Sequence, residues 1–168
     1  MTELTDSGRA TVSLPSDEQI LITREFAAPR HLVFRAFTTP ELVRRWWHAN
    51  RGEMTVAEID LRVGGAWRYV MVAHDGTEVG FHGEYREIVP DERIVSTEVY
   101  EGLPEGVTDE EGATLNTATF TERDGRTTLT ILMQTANRVS RDAIIASGME
   151  DGLQDALDLL ERQAIALG

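Results

Sequence analysis

Four histidines, three tyrosines, a scatter of carboxylates and an adjacent pair of tryptophans are the groups in this 168-residue sequence that could hold a metal, move a proton or grip a ligand. The histidines, His31, His48, His74 and His82, show no metal-ligand spacing. With no cysteine a structural zinc site is not expected, and there is neither a thiolate nucleophile nor a disulfide framework. No nucleophile elbow and no paired-histidine metalloprotease motif occurs. Gly64-Gly65 lacks the third glycine and the following helix of a dinucleotide site, and reads as a turn or bulge. Glu58 and Asp60 share one face of a strand near Glu53, where a solvated edge accounts for them. Asp109, Glu110 and Glu111 could hold calcium weakly, but a solvated acidic loop explains them as well. The sequence therefore assigns no catalytic residue, no metal site and no cofactor.

Its aromatic residues are more informative. On a strand, Trp67, Tyr69 and Met71 share one face, and so do Phe81, Gly83 and Tyr85. His82, Glu84 and Arg86 occupy the other face of the second strand and read as solvent-facing, which turns the aromatic set inward. These rings either fill a core or line a cavity. Two inward tyrosines favour the cavity, because a buried hydroxyl needs a partner. Trp46 and Trp47 cannot face the same way on a short helix, so one anchors it and the other sits at a cavity mouth. Trp47 joins the ligand-facing set, and Met149, Gly152, Leu153 and Ala156 face it from a C-terminal helix.

These residues must be positioned by a small set of elements. Residues 1–18 read as a flexible lead-in with Gly8 and Pro15, and residues 19–168 as one domain. A first strand runs from Gln19 to Ala27. Pro29 opens a helix with Leu32, Val33, Ala36 and Phe37 on one side, and Thr39-Pro40-Glu41 caps and starts a second that ends near Trp46-Trp47. Strands follow over 55–61, 66–73, 79–89, 93–100, 115–123 and 126–135, the last two joined by the hairpin turn Asp124-Gly125. Ser140 caps one long final helix carrying Ile145, Met149, Leu153, Leu157 and Leu160. This order is α+β: a curved antiparallel sheet of about six or seven strands around a long C-terminal helix, with two short helices after the first strand. A twisted, curling sheet and a straight helix cannot touch everywhere, so a gap between them is natural. Gly148 and Gly152 on that helix either leave room for a ligand or permit close packing.

Net charge is −13, from 16 basic and 29 acidic residues, so nucleic acid and anionic membrane surfaces are excluded as partners. No run of about 18 apolar residues exists to insert into a membrane. The polar N-terminus lacks a secretory pattern, which makes the cytoplasm the expected location. A monomer or weak homodimer is expected.

In order along the chain, Arg24-Glu25-Phe26, Ala28-Pro29, Val33-Phe34, Ala36-Phe37, Thr39-Pro40-Glu41-Leu42 and Trp46-Trp47 are followed by Asp60-Leu61-Arg62, Gly64-Gly65, Phe81-His82-Gly83-Glu84-Tyr85 and Ile88-Val89-Pro90, then Gly148-Met149-Glu150-Asp151-Gly152 with Leu157 and Leu160. This series resembles the START-like (SRPBCC) superfamily, and within it the branch named after the C-terminal domain of heat-shock-protein-90 ATPase activators. The resemblance implies a helix-grip fold with a ligand cavity. Relatives often carry tryptophan after the residue corresponding to Gly152, where this chain has Leu153, a change that widens or reshapes the gap. Three functions follow as expectations: sequestering or carrying a hydrophobic, aromatic or lipid-like small molecule; a polyketide cyclase or aromatase-like enzyme, which would need an ionisable group inside the cavity; and a co-chaperone. The inferred lining has no carboxylate or histidine, which weighs against the second, and 18 leading residues are too few for a client-gripping domain, which weighs against the third.

Overall fold

The computed structural model describes residues 9–102, 105–108 and 112–168, so the acidic trio Asp109, Glu110 and Glu111 lies outside the described residues. Within them are eight strands: β1 (Thr11–Ser13), β2 (Gln19–Phe26), β3 (Gly52–Ile59), β4 (Ala66–Ala73), β5 (Glu78–Val89), β6 (Arg93–Tyr100), β7 (Thr114–Arg123) and β8 (Arg126–Gln134). Helices α1 (Arg30–Thr38) and α2 (Pro40–Val43) follow β2, and α3 (Arg138–Ala146) and α4 (Met149–Leu167) end the chain. All strands pair antiparallel in one curved sheet, in the order β1-β2-β8-β7-β6-β5-β4-β3. The expected α+β architecture is present. The eighth strand is β1, which lies in the stretch expected to lead in loosely. Three residues are too few to show a period. What fixes them is pairing, Thr11 with Thr23 and Ser13 with Leu21, and a two-way tie in which the Gln154 side chain accepts from Ala10 N (2.9 Å) and donates to Ala10 O (2.8 Å).

The final element also differs from expectation. Asn137, not Ser140, caps it, its side chain accepting from Ser140 N at 2.8 Å. The single long helix is two, because Gly148 adopts φ 79°, a left-handed conformation that only glycine takes up readily. The spacing of Ile145, Met149 and Leu153 runs through this break and hides it. Thr39 stands at the N-cap of α2 as expected, but its hydroxyl makes no capping bond; it donates back to Arg35 O at 2.6 Å and closes α1. Helix α2 stops at Val43, so Trp46 and Trp47 lie in the turns beyond it.

Strand β2 sets the position of α4. Its inward residues alternate as Ile20, Ile22, Arg24 and Phe26, so an arginine occupies a core position with only 1% exposure. Its guanidinium donates to Asp158 (2.9 Å) and Glu161 (2.8 Å) of α4 and lies 5.0 Å from the centre of the Phe26 ring. The second Glu161 oxygen accepts from Ala27 N at 2.8 Å. Around this clamp the C-terminal half of α4 is packed, with Leu157, Leu160 and Ala164 buried and the helix lying along α1. The stretch before Gln154 is not, and Met149, Gly152 and Leu153 are only half-buried.

Two substitutions test this division. Leu160→Ala should cost about 2–5 kcal/mol in urea melts, as buried leucine truncations do, and Leu153→Ala under about 1 kcal/mol, because its side chain already borders open space. Equal losses would mean the helix packs along its whole length. Arg24→Met should destabilise by about 3 kcal/mol, the low end for breaking a buried ion pair, since Asp158 and Glu161 can regain water.

Candidate functional site

Between the concave face of the sheet and the helices lies a cavity of about 1040 Å³. Trp47, Trp67, Tyr69, Met71, Phe81, Tyr85, Met149, Gly152, Leu153 and Ala156 all stand on its walls. The rings therefore border this space as well as one another. A Cβ built on Gly152 would meet nothing within 4 Å, so close packing does not explain that glycine.

Sheet register and one glycine arrange the rings. Trp67 pairs with Gly83 across β4 and β5, and Tyr69 with Phe81. A Cβ at Gly83 would fall 1.8 Å from Thr97 O and 2.7 Å from Trp67 Nε1. Its absence lets the indole lie over β5 and donate to Thr97 O of β6 at 3.1 Å. Trp67 and Tyr69 then sit 4.8 Å apart. The two adjacent tryptophans divide their work. Trp46 is buried, donates to Ala36 O at 2.9 Å and stacks on Phe37 at 5.7 Å, so it is the anchor. Trp47 meets Tyr69 and Phe81 edge-on at 5.6 and 5.7 Å.

On the convex face His82 and Arg68 share Glu101, at 2.9 Å each, and Glu84 meets Arg86 at 3.4 Å. The outward assignment of His82, Glu84 and Arg86 is that of the structure.

The expected absence of a carboxylate from the lining is overturned: Glu98 of β6 faces the cavity, with Ser96, Thr114 and Asn116 beside it on the wall. Simple alternation along β6 puts it there: Ile94, Ser96, Glu98 and Tyr100 all stand on the wall, and β7 pairs with β6 without a break, Ala118 opposite Ile94, Asn116 opposite Ser96 and Thr114 opposite Glu98. Val89 pairs with Arg93 and Glu87 with Val95, and a regular ladder would continue to set Tyr85 opposite Thr97. The register instead shifts between Tyr85 and Glu87, so Tyr85 pairs with Ser96. The extra residue is in β5, so the shift exchanges the faces of that strand and lets both Ile88 and Tyr85 meet the inner face of β6, at Ile94 and Ser96. β6 carries apolar residues on both faces, Ile94 and Tyr100 on that of Glu98 and Val95 and Val99 on the other, so hydrophobicity does not settle which face turns inward, and the sequence reading missed Glu98 for that reason.

The carboxyl accepts from Asn116 Nδ2 at 3.1 Å, and the Thr114 hydroxyl, which donates to Asn116 Oδ1 at 2.9 Å, lies beside it. Burial holds the Glu98 pKa above the usual glutamate value, partly offset by these two neighbours. Glu98 is half-buried because its carboxyl borders the cavity; protein encloses it on its other sides, and that enclosure causes the shift. Tyr69 and Tyr85 bond to each other through their hydroxyls, and burial above all keeps both phenols protonated far into base. Arg51, also on the wall, donates to Asp155 Oδ2 and Ala49 O at 2.8 and 2.7 Å. Among the described residues no cluster of histidine and carboxylate groups could hold a metal ion, and no helix is long and apolar enough to cross a membrane. Chemically, the site is an apolar chamber whose wall carries one proton-accepting carboxyl and three phenols, two of them, Tyr69 and Tyr85, bonded to each other.

The folded protein holds the Glu98 proton more tightly than the unfolded chain. Stability is therefore lost as pH rises from the ordinary value of 4.5 through the raised folded value. Glu98→Gln keeps the shape and escapes that loss. It should match the parent in acid and exceed it at neutral pH, with urea denaturation over a pH series as the check. A less stable variant at neutral pH would contradict the assigned shift.

Residues 27–164 match the family described as Activator of Hsp90 ATPase homolog 1-like protein. Among curated proteins none matches the chain in sequence. Among solved structures, a protein of Rhodobacter sphaeroides is 26% identical with a TM-score of 0.83, over 95% of this chain and 100% of its own. One of Chromobacterium violaceum is 29% identical with a TM-score of 0.71, over 86% and 95%. An AHSA1-like protein of Aeromonas hydrophila, 22% identical with a TM-score of 0.65 over 88% and 94%, shares the fold. The chain, with its curved sheet, gripped C-terminal helix and matching sequence, belongs to the Activator of Hsp90 ATPase homolog 1-like family.

Proposed function

We propose that the protein binds a hydrophobic, ring-bearing or lipid-like small molecule between helix and sheet and sequesters or carries it. The observation that carries this reading is the cavity of about 1040 Å³ walled by aromatic and aliphatic side chains. Small-molecule sites are commonly about 300–1,000 Å³ with a few polar groups among apolar ones. A ligand burying about 300 Å² of apolar surface gains roughly 7 kcal/mol, against an association cost of about 4 kcal/mol or more. Generic apolar compounds therefore bind weakly, and tight binding needs a polar anchor of the kind that Glu98 and the phenols offer. A second reading, a cyclase-type enzyme, is favoured by one specific observation: Glu98 supplies the ionisable group inside the cavity that such chemistry needs.

Native mass spectrometry of protein from its own host should show a retained ligand. Nuclear magnetic resonance titration with aromatic and fatty compounds should shift Trp67, Tyr69, Met71, Phe81, Tyr85 and the first turns of α4. A ligand recovered chemically unchanged after incubation supports carriage; a changed mass, abolished in Glu98→Gln, supports the enzyme. If no compound moves those residues, the binding reading fails.

A further inference from the structure

The charged groups on the cavity wall, among the described residues, are Glu98 and Arg51, and they differ in one respect. Arg51 has its counter-charge in Asp155 at 2.8 Å. Glu98 has only neutral partners, the Asn116 amide and the Thr114 hydroxyl, and no cation within ion-pair distance among the described residues. A carboxylate has about four acceptor sites, so it retains capacity facing the chamber. An enclosed carboxylate without a counter-ion is costly, and a cation that enters and pairs with it removes that cost.

The neighbouring walls suit the same occupant. Trp47, Tyr69 and Phe81 stand edge-on around one part of the chamber, at 5.6 and 5.7 Å, with Trp67 against Tyr69 at 4.8 Å. Glu98 lies near enough to influence the Tyr69 hydroxyl. Aromatic faces attract organic cations, more strongly when water is excluded. An ammonium carried on an apolar skeleton could thus meet rings and a carboxylate together. The net charge of −13 adds a field that draws cations toward the molecule and repels anions.

We propose that the cavity selects a lipophilic amine, its cationic nitrogen on Glu98 among the aromatic rings and its apolar body in the chamber. This rests on the binding reading above and adds the chemical class of the ligand.

Three probes of one skeleton test it: naphthylethylamine, naphthylethanol and naphthylpropanoate, titrated calorimetrically into the full chain near neutral pH and at physiological ionic strength. The amine should bind about tenfold or more tighter than the alcohol, the gain of one charge-assisted hydrogen bond. The carboxylate should bind weakest. In Glu98→Gln the amine's advantage should close to within about twofold. The comparison on the parent protein stands even if that variant folds poorly. An amine no tighter than the alcohol, or an advantage that survives in Glu98→Gln, overturns the amine assignment and leaves the binding reading intact. A tightest-binding carboxylate would make Arg51 the anchor and also overturn it. Failure of all three to bind sinks the binding reading and this inference with it.

Discussion

A buried arginine with two carboxylates of a single helix is the constraint on which the rest of this architecture hangs. Arg24 points inward from β2 at a position its neighbours Ile22 and Phe26 would predict to be apolar. The charge is tolerable there because Asp158 and Glu161, three residues apart on one face of α4, reach it from the helix. Glu161 also engages the backbone of Ala27, so the helix is fixed in rotation as well as in position. The tie between Gln154 and Ala10 holds the next turn to the start of the chain. Beyond these fixings α4 runs straight while the sheet curves away. The chamber is the space between them, and Met149, Gly152 and Leu153 are its roof because they lie on the side of the clamp where the helix no longer packs.

The chamber floor depends on backbone irregularities more than on side-chain choice. Gly83 keeps β5 low enough for Trp67 to reach across to Thr97. The bulge between Tyr85 and Glu87 reverses the alternation of β5, so that Tyr85 meets the inner face of β6 at Ser96. Each changes what one or two residues meet, and together they produce a floor of rings that ends in a small polar group of Tyr69, Tyr85, Glu98, Asn116 and Thr114.

Much of this was legible in the sequence, and the reasons are local. The limits of β4 and β6, Ala66–Ala73 and Arg93–Tyr100, are set by turns with clear residue signals. The inward set on β4 and β5 follows from simple alternation against an obviously charged opposite face. The C-terminal helix announces itself by its leucines. What escaped depends on pairing or on backbone conformation. Strand β1 exists only through its partner β2. The break at Gly148 is invisible to periodicity because the apolar spacing continues through it. Glu98 was concealed because β6 carries apolar residues on both faces, and only the pairing with its neighbours shows that the face of Ile94 is the inner one. Arg24 stood within a recognisable motif, but its role required Asp158 and Glu161, 134 and 137 residues away.

The strand order has a consequence for how the molecule meets copies of itself. An antiparallel sheet that does not close leaves two edges with unpaired backbone groups, and such edges template aggregation unless blunted. Here one edge is β1, three residues long, too short to nucleate a stable ladder with a neighbour. The other is β3, which carries exposed Glu53 and Glu58 and breaks register between Met54 and Val56. A second chain approaching that side meets like charge and a bent ladder. Charge and a bent ladder at this rim both oppose edge-to-edge pairing, the route by which an incomplete barrel would find its missing strands in another molecule.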